Sequence, residues 1–208
     1  MDELLAPGTF IDSDHPRVIA FTEEATAGAR TDRERLAALF TAVRDGIRYD
    51  AATFPQDPAA YRASAVADAK ASYCIPKAIL LCAGARVLGV PARLAFADVR
   101  NHLQTPRMRE MMGGSDLFVY HGYAELLIDG TWRKASPAFN RELCARFGVE
   151  AMDFDGTADA ILHPFSGDGS RYMEYVRDRG RHADFPFDEV LPAILAAYPA
   201  FDALDAPA

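Results

Sequence analysis

Tyr73-Cys74-Ile75-Pro76-Lys77-Ala78 decides how this chain reads. Pro76 suits the first turn of a helix, where its missing N–H costs nothing. The apolar run Ala78-Ile79-Leu80-Leu81-Cys82-Ala83 behind it predicts a buried helix from Pro76 to about Leu88. Gly89 is placed to end that helix, and Pro91 prevents its continuation. Cys74 then stands at or just before a helix N-terminus, where free backbone N–H groups and the helix dipole favour an anion. Such a position can lower a thiol pKa by one to several units from roughly 8.5. The same N–H groups suit part of an oxyanion hole. Cys82 and Cys144, each among apolar neighbours, read instead as small core residues.

Downstream, Arg93-Leu94-Ala95-Phe96-Ala97 reads as a strand. Residues 100 to 117 form a polar insertion with Met and Gly, long for a structureless connection, which predicts a lid or a short helix. Phe118 to Ile128 and Thr131 to Ala135 form a hairpin around Asp129-Gly130, a type I′ turn signal. A two-residue turn pairs Ile128 with Thr131, which sets Tyr123 opposite Ser136 and His121 opposite Ala138. Side chains two apart share a face, so His121, Tyr123, Glu125 and Ser136 project from one side, with Ser136 diagonal to His121. A cysteine opening a helix, followed by a histidine opening a strand, is the order a thiolate nucleophile and its base need.

Upstream, Asp14-His15-Pro16-Arg17 predicts a helix start with Asp14 as cap, running to about Ala27. Thr31-Asp32-Arg33-Glu34 fits a capping box, and Leu36, Leu39, Phe40, Val43 and Ile47 follow at helical spacing. Residues 49 to 72 read as irregular, with a short helix near Ser64 to Lys70. Beyond Asn140 the pattern predicts a short helix from Arg141 to Phe147, a loop carrying Asp153 and Asp155, and the Gly-rich Ser166-Gly167-Asp168-Gly169. A final helical region contains Tyr172 to Arg179 and Glu189 to Tyr198. No repeat or linker interrupts the chain. The expectation is one α+β domain over residues 1–208, with a core at about 30–140, helical extensions at both ends and a C-terminal extension at about 141–208.

Composition narrows the partners. A net charge of −8 argues against nucleic-acid and anionic-membrane partners, which would be repelled. No apolar run approaches the roughly 20 residues of a spanning helix, and Met1-Asp2-Glu3 does not open a secretory signal. Three cysteines without metal-type spacing suggest a reducing, cytoplasmic location.

Together these segments resemble the transglutaminase-like superfamily of papain-fold cysteine enzymes. Cys74-x3-Ala78-x-Leu80-x5-Arg86-x2-Gly89-Val90-Pro91-Ala92-Arg93 resembles that family's nucleophile helix and the turn into its next strand. His121-x-Tyr123-x-Glu125, followed by Asp129-Gly130-Thr131-Trp132, resembles its histidine strand, turn and recurring Trp. The resemblance covers about residues 40 to 140. It implies a nucleophile helix packed on an antiparallel sheet, and a Cys-His-Asp triad into which Cys74 and His121 carry over. The family's Asp position is occupied by Ser136, in Ala135-Ser136-Pro137. A serine can hold an imidazole tautomer but cannot stabilise imidazolium as a carboxylate does. Asn140 is a second possible orienter, since amides fill this role in papain-like enzymes, and Asp153 or Asp155 is a third.

Among weaker candidates, Tyr73 and Gln56 are read as helpers of an oxyanion and Arg93 as a substrate contact. Arg93 and Glu125 also suit a structural ion pair, and Trp132 suits a core position. The expected function is cysteine-dependent acyl transfer, hydrolysing an amide, isopeptide or ester of a peptide, protein or small molecule. The rivals are amine acyl transfer or cross-linking, and a silent binding module with a degraded triad. No metal and no organic cofactor is implied.

Overall fold

In the computed structural model, residues 2–162, 169 and 172–205 are described. Helix α1 (Pro16–Thr26) is capped by His15, not Asp14: the His15 Nδ1 accepts the Arg17 N–H at 3.1 Å. Pro16 occupies the first turn, so the only residue that can fold back onto the free N–H groups is its immediate predecessor. Helix α2 (Asp32–Gly46) starts with both arms of the Thr31–Glu34 capping box formed. Residues 49–72 are more ordered than expected. Strand β1 (Arg48–Tyr49) pairs in parallel with β2 (Ala71–Ser72), and between them lie a 3-10 turn (Pro58–Tyr61) and helix α3 (Ala63–Val66).

Helix α4 (Cys74–Val87) is buried on nearly every side, from Cys74 through Arg86. A helix apolar all round belongs inside a protein. It lies between α1, α2 and α3 on one side and the main sheet on the other. Gly84 permits the close approach of α2 and α1: a Cβ there would stand 2.8 Å from both Leu39 methyls and 3.0 Å from the Thr22 hydroxyl.

The main sheet is antiparallel, in the order β5-β4-β3-β6. Its strands are β3 (Ala92–Asn101), β4 (Leu117–Ile128), β5 (Thr131–Ala135) and β6 (Met173–His182), and helix α5 (Pro106–Met111) fills the insertion between β3 and β4. Asp129 and Gly130 both have positive φ, 49° and 76°, as a type I′ turn demands, and Ile128 pairs with Thr131. Pairing runs out to Ala124–Ala135 and then stops. The Ser136 N–H turns instead to the Ala160 carbonyl at 2.8 Å, so His121 has no partner across β5. Its neighbour on the other side is Ala97 of β3.

The expected helix at Tyr172–Arg179 is a strand. β6 closes the free edge of β3, with Val99 opposite Tyr175 and Arg100 opposite Glu174. Nothing local in Met173-Glu174-Tyr175-Val176-Arg177 excludes a helix; the open edge of β3, seventy-odd residues earlier, supplies the backbone partners. Ser166–Asp168 of the Gly-rich segment lies outside the described residues. Helix α6 (Arg141–Arg146) and helix α7 (Phe187–Ala197) stand where expected, and a 3-10 segment (Pro199–Asp205) follows.

Two apolar layers result. One, containing Leu94, Phe96, Ala124 and Leu126, joins the sheet to α4 and the other helices. The second, containing Ala95, Ala97, Val99 and Tyr123, is covered by Cys144, Val149, Leu162 and Tyr172. No helix among the described residues is long and apolar enough to cross a membrane.

Candidate active site

Tyr73 is the extended residue that precedes α4, so Cys74 is the first helical residue. The start of α4 rests on β4 at Gly122: a Cβ there would lie 3.1 Å from the Ile75 Cα and 3.0 Å from its Cγ1. Glycine thus lets the helix N-terminus press onto the strand beside His121. Immediately before it, Tyr120 adopts φ 54°, a left-handed conformation rare outside glycine, and the β3–β4 register slips at Ala97–Val99. That break frees β4 to present His121. Asp98 supports the kink, accepting the Tyr120 N–H at 3.2 Å and two donors from Arg179 at 2.9 and 2.8 Å.

Cys74 and His121 line one narrow cavity of about 40 Å³. Both are nearly out of contact with solvent, at 8% and 6% exposure. The cavity is covered by Tyr198 and Phe201 of the C-terminal segment and by Phe54. The Tyr198 hydroxyl holds this cover in place, accepting the Val119 N–H at 2.7 Å and donating to the Leu117 carbonyl. Phe201 stacks edge-on against Phe54, centroids 5.2 Å apart.

Burial dominates the electrostatics. It pushes the Cys74 thiol up to about 11, although the N–H groups of Gly122, Ile75 and Cys74 itself pull the other way. The helix N-terminus therefore acts as expected but is outweighed by desolvation. Burial likewise lowers His121 to about 4, with no carboxylate among the described residues to oppose it. Near neutral pH the cavity therefore holds a thiol and a neutral imidazole.

His121 Nε2 lies 3.3 Å from the Ser136 hydroxyl, the diagonal contact that the hairpin register implies. Asn140 is buried and committed elsewhere: its amide oxygen accepts the Tyr49 N–H at 3.1 Å, fastening β1 to the start of α6. Asp153 binds Arg44 at 2.5 Å and Arg141 at 3.0 Å, and Asp155 closes its own turn onto Thr157. The weaker candidates are also engaged. The Tyr73 hydroxyl pairs with Tyr61 at 2.9 Å, and the Gln56 amide nitrogen with Asp202. Arg93 bridges to Glu125 at 2.7 Å and stacks over Trp132, 3.9 Å from its ring centre.

Several contributors lie beyond what the motifs indicate. Gly122 carries a signal of its own, a glycine inside an otherwise well-formed strand pattern. Lys77, fully buried one turn after Cys74, donates to the carbonyls of Arg44, Ile47 and Ala138 at 2.9, 2.6 and 2.9 Å. It ties α4 to the end of α2 and to the chain just beyond Ser136. Tyr198 and Phe201 have no sequence signal. Among the described residues, no cluster of three or more His, Cys, Asp or Glu is placed to hold a metal ion.

Residues 19–137, more than half of the 208, match the family model described as "Transglutaminase-like superfamily". No curated protein matches the sequence. Among solved structures, "a Putative Cysteine Protease from Cytophaga hutchinsonii" is similar, with 17% identity and a TM-score of 0.49. The similarity covers 64% of this chain but 40% of that one, so this chain matches less than half the length of that structure.

Proposed function

Given that the chain belongs to the transglutaminase-like superfamily, we propose that it is a cysteine-dependent acyl-transfer enzyme in which Cys74 attacks a carbonyl and His121 moves the proton. The observation that carries this reading is the meeting of Cys74 and His121 in one cavity, at the start of a helix whose N–H groups face the sulfur.

Ser136 occupies Nε2 of His121, leaving Nδ1 as the basic nitrogen. As Sγ bonds to the substrate carbonyl carbon, its proton passes to Nδ1. The carbonyl electrons move onto oxygen, where main-chain N–H groups at the start of α4 oppose the charge. The Tyr73 hydroxyl is paired with Tyr61 and the Gln56 amide nitrogen with Asp202, so this reading gives neither a step. Collapse of the intermediate breaks the bond to the amine or alcohol, which takes the proton from His121 and leaves a thioester on Cys74. Water, or an amine in a transfer reaction, then bonds to the thioester carbon as its proton passes to His121; the C–S bond breaks, the acyl product leaves, and the proton returns from His121 to the sulfur. A neutral starting pair makes proton transfer part of the attack rather than a preformed thiolate–imidazolium state.

The test is acylation by p-nitrophenyl acetate, followed by intact mass and peptide mapping. An acetyl adduct on Cys74, absent from Cys74→Ser and slowed at least about 100-fold in His121→Ala, supports the reading. Release of p-nitrophenol that survives Cys74→Ser overturns it. One observation favours a second reading, a binding module without turnover: no carboxylate among the described residues stands beside His121. A folded wild type that never acquires the adduct supports that alternative.

A further inference from the structure

A second depression adjoins the Cys74–His121 cavity, and we propose that it binds the acyl-donor side of a peptide carrying an apolar residue with an acidic neighbour. The inference rests on the acyl-transfer reading above and names its substrate class. The groove is open, with a volume of about 220 Å³, and shares Tyr49, Ala51 and Phe118 with the nucleophile cavity. A substrate lying in it therefore leads towards the sulfur. Its floor is apolar and aromatic, with Phe139 set edge-on against Tyr49 at 4.7 Å and stacked with Tyr172 at 6.3 Å. At the lip, Phe147 is 36% exposed, one of three large apolar side chains that stand so open among the described residues.

Charge selects among apolar ligands. The chain carries a net −8, yet this groove has two arginines, Arg48 and Arg146, against one acid, Asp50. Asp50 is paired with Arg48 at 3.1 Å and also accepts the Ala52 N–H. Arg146 has no ion pair among the described residues and sits next to the exposed Phe147. An adjoining cation and exposed ring suit an apolar side chain next to a carboxylate. Such a peptide also meets less repulsion here than the net charge of the chain would suggest.

A hydrogen-bonding group singles out a peptide over a simple fatty acyl chain. Gln104 stands in the wall, and its amide nitrogen donates to the Met112 sulfur at 3.0 Å, which fixes the orientation of the amide. Its Oε1 is left buried without a partner. An orphaned buried acceptor is costly, and a backbone N–H that reaches it relieves that cost. The neighbouring oxygens are already used: Thr105 Oγ1 accepts the Met108 N–H and Asn101 Oδ1 the Leu103 N–H.

The test is calorimetric titration of the full chain carrying Cys74→Ala with acetylated hexapeptides having a central leucine flanked by glutamate or by lysine. The acidic peptide should bind at least about tenfold tighter, a factor worth about 1.4 kcal/mol. Arg146→Glu should reverse the order. Gln104→Leu should weaken the acidic peptide about fivefold while leaving the melting temperature unchanged or higher. Equal affinities, indifference to Arg146→Glu, or no binding by any hexapeptide overturns the proposal. Acylation of wild-type Cys74 by p-nitrophenyl acetate is scored separately. If it occurs while the peptides bind indiscriminately, the groove assignment falls and the reaction stands; selective peptide binding without acylation gives the converse.

Discussion

The Nε2 of His121 lies 3.3 Å from the Ser136 hydroxyl oxygen, and both side chains are buried. In the tautomer that leaves Nδ1 basic, Nε2–H donates to that oxygen. The hydroxyl orients the ring but brings no charge, so burial alone sets the low pKa of His121.

Substitution at 136 should separate orientation from charge. Ser136→Ala leaves Nε2–H without an acceptor and should cut the rate of Cys74 acylation about tenfold. Ser136→Asp stabilises imidazolium, so the His121 pKa should rise from about 4. With neutral His121 as the proposed base, the acid limb of the pH–rate profile should move to higher pH in that variant. A profile identical to wild type in both would remove Ser136 from the site.

Acid stability follows from the same residue. The His121 pKa is lower folded than unfolded, so the unfolded chain binds the proton first as pH falls. Stability is unaffected by this group above about 6.5 and declines between 6.5 and about 4. The loss should be about 3 kcal/mol from this group. Urea unfolding at pH 7 and pH 4 should show that His121→Gln has the smaller decline.

Gly122 is a steric test of the junction between α4 and β4. A methyl group there meets the Ile75 backbone at 3.1 Å, which a side-chain rotation cannot relieve. Gly122→Ala should cost about 1–3 kcal/mol in denaturant unfolding. Acylation of Cys74 should also slow, because the helix start is displaced from His121.

Lys77 should prove structural and demanding. Its ammonium satisfies three carbonyls, although burial lowers its pKa to about 7. Lys77→Met keeps much of the volume and orphans all three oxygens, so unfolding should show a loss of at least about 2 kcal/mol. Lys77→Arg should not rescue it, because a planar fork cannot reproduce the three directions of the ammonium.

Phe201 tests the cover. Phe201→Ala should open the cavity to water, bring the Cys74 pKa below about 11 and speed its alkylation by iodoacetamide. Cys82, fully buried inside α4, should stay unlabelled in the folded protein. Equal labelling of Cys74 in wild type and variant would mean that Phe201 does not limit access.

Much of the site is legible in the sequence because its signals are local. Pro76 after Cys74 marks a helix start, the Thr31–Glu34 spacing marks another, and Asp129-Gly130 sets a hairpin register from which the Ser136–His121 diagonal follows by counting. Each rests on backbone sterics or hydrogen bonds spanning a few residues, so neighbours alone determine it. The alternatives to Ser136 illustrate the limit. Asn140 and Asp153 each carry a suitable acceptor, and only the fold assigns Asn140 to Tyr49 and Asp153 to Arg44, whereas Asp155 is taken up locally by Thr157.

What the tertiary structure decided shares one physical origin, the meeting of distant segments. Residues 173–182 become a strand because β3 offers an open edge, although their local pattern allows a helix. Tyr198 and Phe201 cover Cys74 from far down the chain. Burial as a whole reverses the expected thiol shift, since the pull of a few N–H groups is a local effect and desolvation sums over everything packed around the sulfur. The sequence by itself determined which residues open the helix and the strand. The fold decided how much water reaches them, because burial depends on contacts that no single stretch of chain contains.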